Sequence, residues 1–242
     1  MRPSPPSGPR VRAPGEGIVI AIDGPAASGK SSTAEWVARS VGFRHVDSGS
    51  LYRAATLAAL EGGGDPESWT EEGILGTVQN IHLVPRGTTY SVSRDGSSLD
   101  LAIRGAEVTR HVSRVARMPG IRSWVNDQVR QAARGHNVVV DGRDIGTAVF
   151  PDADVKIFLV ADPWERARRR LTQNLGRAPT DAEIARETER LVQRDARDAT
   201  QTAQAKNAIL IDTTYLTQAE QVERIVALVR VVLQRSEDSP SH

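Results

Sequence analysis

The sequence contains no cysteine, which excludes disulfides and thiolate metal sites. Aromatic residues are scarce, 4% of the chain, so any core must be built from Val, Ile, Leu and Ala. No apolar run approaches the ~18 residues that a membrane-spanning helix needs. Residues 1–16 carry arginines but no apolar stretch of the kind a secretory signal requires. Neither sign of charge is in excess: the formal net charge is +1, which gives no overall pull toward nucleic acid or a membrane surface. Lysine is nearly missing, with Lys30, Lys156 and Lys206 standing against 28 arginines. A lysine inside a motif therefore carries more information than an arginine count. What remains is the expectation of a soluble, cytoplasmic protein. Its 242 residues, 39% of them hydrophobic, fit one large α/β domain or one domain with an insert.

What the sequence does have is concentrated in residues 18–33. The β-branched run Ile18 to Ile22 reads as a buried strand. Gly24-Pro25-Ala26-Ala27-Ser28-Gly29-Lys30-Ser31 follows, matching the G-x-x-x-x-G-K-S phosphate loop, with Ser32 behind it. Residues 32–39 then suit a helix, stopped by Gly42. Glycines at both ends let the backbone curl until successive N–H groups and the helix N-terminus face a phosphate chain. In this pattern Lys30 reaches the β- and γ-phosphates, and the Ser31 hydroxyl takes a place on Mg²⁺. The motif names a nucleoside triphosphate as ligand and leaves its fate open.

Residues 1–16 are rich in Pro, Ser, Gly and Arg, and they read as a disordered tail, as do 236–242. Strands are expected at 18–23, 43–46, 137–141, 155–160 and 208–212, alternating with helices, hence a five-stranded parallel sheet. A helix over 51–60 would place Tyr52 and Arg53 on its first turn, just beyond a strand end where ligands of parallel sheets lie, with Ser48 beside them; by position alone Tyr52 fits equally a half-buried core aromatic and Arg53 a solvated helix charge. Residues 65–118 break the alternation. A helix over 71–80, strands at 81–84 and 89–93, the Asp95-Gly96 turn, a third strand over 99–103 and a helix over 105–118 suggest an inserted subdomain. A helix over 119–134 leads back to the sheet.

Two arginine-rich stretches stand out. Asp141-Gly142-Arg143-Asp144 puts two carboxylates and a guanidinium in a turn at a strand end. Two helices with marked starts, over 163–174 and 181–197, and the link between them carry nine arginines, among them Arg166, Arg169, Arg170 and Arg194. Solvated faces with i,i+4 pairs such as Glu165–Arg169 explain many of these. The hairpin is also placed to close over a phosphate loop, where phosphoryl transfer must exclude water and guanidiniums suit the transferring group. Arg194 and Asp198 share a face, either as a structural ion pair or as a way to aim one arginine at substrate.

Together, Gly24–Ser31, Asp47-Ser48-Gly49-Ser50-Leu51-Tyr52-Arg53, Asp141–Thr147, Phe150–Leu159 and Arg194–Asp198 resemble the bacterial cytidylate kinases over about residues 18–233. The resemblance implies an α/β P-loop nucleoside monophosphate kinase fold. Its core would span 17–64, 119–161 and 202–235, with a monophosphate-binding insert over 65–118 and a helical lid over 162–201. It implies transfer of the ATP γ-phosphoryl group to CMP or dCMP, with Mg²⁺, by a monomer. Gly24 through Ser32 would hold ATP. Arg53 and Arg143 would clamp the acceptor phosphate, and Lys30, Arg53, Arg143 and Arg169 would form the catalytic set. Ser48, Arg122 and Asp144 match positions that read cytosine, with Tyr52 beside them; Ser113, Arg194 and Asp198 match positions near the sugar. The chain departs from the pattern at Gln201, where the family usually carries an acceptor-contacting arginine. A kinase of UMP or of a metabolite hydroxyl, and a nucleotide-binding switch without turnover, are the alternatives.

Overall fold

The two-residue period of a strand sorts the side chains of residues 19–23 between two helical layers. In the computed structural model, which describes residues 16–237, these residues form β1 (Val19–Asp23), buried throughout. The chain continues through α1 (Lys30–Val41), β2 (Arg44–Asp47), α2 (Ser48–Glu61), α3 (Glu71–Thr77), β3 (Ile81–Arg86), β4 (Thr89–Arg94) and β5 (Ser97–Ser98). It goes on with α4 (Ala106–Val115), α5 (Pro119–Ala133), β6 (Val138–Gly142), β7 (Val155–Val160), α6 (Pro163–Leu175), α7 (Asp181–Asp198), β8 (Ile209–Asp212) and α8 (Gln218–Glu237). Val19 and Ala21 of β1, with Val138 and Val140 of β6, pack against Leu51, Ala54 and Ala58 of α2 and Ile121 and Val125 of α5. Ile20 and Ile22, with Val139 and Ile157, pack the other way, against Ala34 and Val37 of α1 and Ile225 and Val229 of α8. This is why the strands read as continuous apolar runs.

The parallel core has the order β2-β6-β1-β7-β8, the five parallel strands expected. Its register aligns Asp23 with Gly142 and Asp47 with Asp141, so the phosphate loop, the start of α2 and the Asp141–Asp144 turn emerge at one end of the sheet. That end is where an open α/β sheet takes its ligands. The β3–β4 hairpin joins this sheet at the β2 edge through a single parallel bridge, His45 with Thr89.

Several local expectations are corrected. Residues 99–103 form no third strand; after the two-residue β5 the chain turns into a 3₁₀ helix at Ala102–Arg104. Leu99 and Ile103 are buried, so their apolar pattern reflected burial without strand pairing. Helix α2 starts earlier than expected, because Asp47 caps it by accepting from the Gly49 N–H (2.9 Å), and this moves Tyr52 and Arg53 to the second turn. Residues 145–149 form an unanticipated π-helical turn. Helix α8 runs to Glu237, into the stretch expected as a tail; the remainder of both tails, 1–15 and 238–242, lies outside the described residues.

Ile225 of α8 is fully buried against the sheet and does not line the large cavity at the strand ends. Ile225→Ala is expected to lower stability by about 2–5 kcal/mol. A lower urea midpoint at unchanged slope would register it.

Candidate active site

Gly24 has φ 155°, and a side chain there would meet the Leu159 carbonyl at 2.3 Å. Gly29, at φ 85°, caps α1 without any side-chain hydrogen bond, and the first turn of α1 holds no acidic residue. The helix therefore offers its N-terminal N–H groups and the positive end of its dipole to an anion. Lys30 folds back to donate to the Pro25 carbonyl (3.1 Å). Burial, and then the charge of Arg143, push its ammonium down to about 7.

Asp141, at the end of β6, is 1% exposed and gathers this floor. Its Oδ2 accepts from Ser31 Oγ (2.5 Å), its Oδ1 lies 2.7 Å from His45 Nε2, and its carbonyl accepts from Ser48 Oγ (2.8 Å). Burial pulls the His45 imidazolium down, but the hydrogen bond and charge of Asp141 outweigh it and hold His45 above its ordinary value. Asp47 lies beside Asp141; burial and that neighbouring carboxylate push it up. Asp23 accepts from the N–H groups of Ile145 and Gly146, both at 2.8 Å, and thereby fixes the turn that carries Arg143 and Asp144. Burial raises the Asp23 carboxyl to about 6.

The opposite wall is cationic. Arg143 donates to the Gly24 carbonyl (2.8 Å) and to Asp198 Oδ2 (3.1 Å). Arg53 donates to Thr109 Oγ1 (3.1 Å). Arg122 pairs with Asp144 and lies over the Tyr52 ring at 5.8 Å. Burial, and then Arg143, push the Arg194 guanidinium down to about 10, and burial lowers Arg53 as well. These groups surround one cavity of about 510 Å³. Its lining carries eight basic side chains against four carboxylates, an imbalance that an anionic ligand would relieve.

The structure brings most of the sequence-derived candidates to this cavity. Ala26, Ala27, Gly29, Lys30, Ser31, Ser32, Ser48, Tyr52, Arg53, Ser113, Arg122, Arg143, Asp144, Arg169, Arg194 and Asp198 all line it. Gly24 and Pro25 stand behind the wall as carbonyl acceptors for Arg143 and Lys30. Ser28 is buried with no partner for its Oγ among the described residues. Arg169 reaches the carbonyls of Thr213 (2.5 Å) and Thr214 (2.7 Å), which ties α6 to the loop after β8. Sequence reasoning gave no role to Asp47, Arg104, Thr109, Gln173 or Asn174, which also line the cavity. Asp47 carried a signal, a carboxylate at a strand end; the others depend on how the hairpin and the 65–118 segment fold back.

The family model described as cytidylate kinase matches residues 20–231. The chain is 41% identical over 225 residues to a cytidylate kinase of Limosilactobacillus fermentum, covering 91% of this chain and 99% of that one. It is 43% identical over 219 residues to a cytidylate kinase of Geobacillus kaustophilus, covering 88% and 96%. Among solved structures, a shikimate kinase from Bacteroides thetaiotaomicron aligns at a TM-score of 0.44 and 16% identity, covering 90% of this chain and 98% of that one.

Proposed function

This chain belongs to the cytidylate kinase family, and we propose that it transfers the γ-phosphoryl group of ATP to CMP or dCMP, giving ADP and CDP or dCDP. The observation that carries the reading is a single cavity with a phosphate loop on one wall and Arg53, Arg143 and Arg194 on the other. A phosphate oxygen of the acceptor attacks the γ-phosphorus, and the bond to the β-bridging oxygen breaks, leaving its electron pair on ADP. The nucleophile is already a phosphate monoester, so no strong base is needed. Alignment and charge neutralisation supply the catalysis.

In this reading Gly24 to Ser32 hold the triphosphate, with Lys30 on its outer phosphates. Arg53 and Arg143 orient the acceptor phosphate, and Arg169 completes the catalytic set from α6. Arg122, Asp144 and Ser48 read cytosine, with the Tyr52 ring beneath Arg122. Ser113, Arg194 and Asp198 hold the sugar side. Buried polar groups of this kind reject a base that leaves them unpaired. Gln201, which also lines the cavity, offers an amide to the acceptor where the family usually has a charge. Residues 162–201 act as the lid and 65–118 as the monophosphate-binding insert.

Mg²⁺ fits the donor set. Ser31 Oγ and Asp141 Oδ2 are oxygen donors 2.5 Å apart. No cluster of three or more His, Cys, Asp or Glu able to hold a metal occurs among the described residues, which suits an ion carried in with phosphates and water. Once bound, it supplies charge neutralisation on the β- and γ-phosphates. The acting unit in this reading is the monomer. No helix among the described residues is long and apolar enough to cross a membrane.

The test is an acceptor panel of CMP, dCMP, UMP and a hydroxyl sugar, read by coupled ADP detection. CMP or dCMP should give the highest kcat/KM; a better UMP or sugar rate overturns the cytosine assignment. ATP binding without ADP formation on any acceptor overturns the kinase reading.

A second result follows from Lys30. With its free value near 7, Lys30 is mostly uncharged at pH 8, and the arriving phosphates draw a proton onto it. Binding of a non-hydrolysable Mg-ATP analogue should take up a proton at pH 8 and much less at pH 6, and affinity should fall as pH rises between them. Calorimetry in two buffers of different ionisation enthalpy reads the proton count.

A further inference from the structure

Both backbone groups of Ala26, inside the phosphate loop, are held by one ion pair. The Ala26 N–H donates to Asp195 Oδ1 (3.2 Å), and the Ala26 carbonyl accepts from Arg166 Nη1 (2.8 Å). Arg166 Nη1 also donates to Asp195 Oδ2 (2.6 Å). Arg166 comes from α6 and Asp195 from α7, so each helix of the hairpin contributes one end of the pair. Arg166 is 4% exposed and Ala26 3%, and neither Arg166 nor Asp195 lines the cavity. Both therefore sit behind the cavity wall, against the backbone of the loop.

The same place holds a small apolar cluster of its own, in which Ala26 packs with Ala167, Ile184 and Leu191 of the hairpin. The next loop residue, Ala27, sits at φ 56°, a left-handed conformation that a residue with a Cβ keeps only where its surroundings hold it. On α7, Asp195 points to the loop while its neighbours Arg194 and Asp198 point into the cavity. A second tie runs parallel to the first: Arg143 joins the Gly24 carbonyl to Asp198.

We propose that Arg166 and Asp195 are positioning residues that lock the rotation of α7 to the conformation of the phosphate loop, so that donor and acceptor nucleotides bind with positive cooperativity. A triphosphate seated in the loop fixes Ala26 and, through the pair, fixes Arg194 and Asp198 in their acceptor-facing places. An acceptor gripping Arg194 and Asp198 fixes the loop in return, since such coupling is reciprocal. The inference rests on the reading of the cavity as a site for ATP and CMP.

The experiment measures the CMP dissociation constant by calorimetry, with and without a saturating non-hydrolysable Mg-ATP analogue, and records the melting curve of each chain. In the wild-type chain the analogue should tighten CMP binding at least ~5-fold. The double variant R166M/D195L removes both charges together and leaves no lone buried ion. It should bring that ratio to about one, while CMP affinity without the analogue changes by less than about threefold. Asp195→Asn keeps the side-chain volume and one acceptor oxygen; it should lower the ratio as well, and it carries the test if the double variant fails to fold. A purely structural pair would lower the melting temperature and leave the ratio untouched. A wild-type chain that phosphorylates CMP but shows a ratio of one, or variants that keep the wild-type ratio, overturn this inference alone. A wild-type chain that does not bind CMP overturns the functional reading and this inference together.

Discussion

Lys30→Ala lowers the rate of phosphoryl transfer to CMP by at least ~10²–10³-fold, the loss that follows removal of one preorganised donor from developing charge. Lys30 is the loop's only ammonium, and its resting partner is a carbonyl, Pro25 O at 3.1 Å. Among the described residues no carboxylate hydrogen-bonds it directly, so the ammonium is available to a phosphate. The fold gains nothing from this charge when no ligand is present. The folded value, about 7, lies well below the ~10.4 of an exposed lysine. The charged form is therefore disfavoured by folding. The penalty grows as pH falls from the unfolded value and is fully present below about 7. The nucleotide-free Lys30→Ala chain should accordingly melt no earlier than wild type at pH 7, while its activity collapses. Steady-state kinetics beside a melting curve checks both halves. Activity within about tenfold of wild type would refute the assignment of Lys30.

How much of this was legible in the sequence depended on whether backbone or partner choice decides the outcome. The phosphate loop was legible because Gly24 and Gly29 are required by the turn itself, and the strands around it because their residues face apolar layers on both sides. Arg143 stood out from its place between two carboxylates at a strand end; Arg53, read from its place alone, passed for a solvated helix charge, and only the family resemblance singled it out. What each arginine touches was not. Arg166 and Arg169 stand three apart on α6, yet one is buried against Ala26 and Asp195 while the other reaches the carbonyls after β8. Residue type and helical spacing are the same for both; only the packing of the hairpin on the loop separates them. Leu99 and Ile103 failed in the same way, since two apolar residues four apart can bury themselves from a strand or from a short helix. Helix α2 was misjudged by one turn because Asp47 is at once the last residue of β2 and the cap of α2, so no loop separates them.

Arg143→Met is the second large effect, and it differs in kind from the loss of Lys30. The Arg143 guanidinium spans two carriers of catalytic geometry, donating to the Gly24 carbonyl at 2.8 Å and to Asp198 Oδ2 at 3.1 Å. Its removal deletes a cation proposed to grip the acceptor phosphate and cuts the link between the phosphate loop and α7. The expected fall in kcat/KM for CMP is ~10²–10³-fold, through a higher acceptor KM as well as a lower kcat. Binding of the ATP analogue alone should change far less. The fold should survive, because Asp198 keeps Arg194 as a neighbour at 3.7 Å. Arg143→Lys separates charge from shape. A lysine restores one cation but cannot fork between a carbonyl and a carboxylate as a planar guanidinium does. Recovery of acceptor KM without recovery of kcat in Arg143→Lys would assign the charge to binding and the fork to alignment. Full recovery of both would show that the bridge to Gly24 and Asp198 does nothing for transfer. A wild-type acceptor KM in Arg143→Met would remove this arginine from the acceptor site altogether.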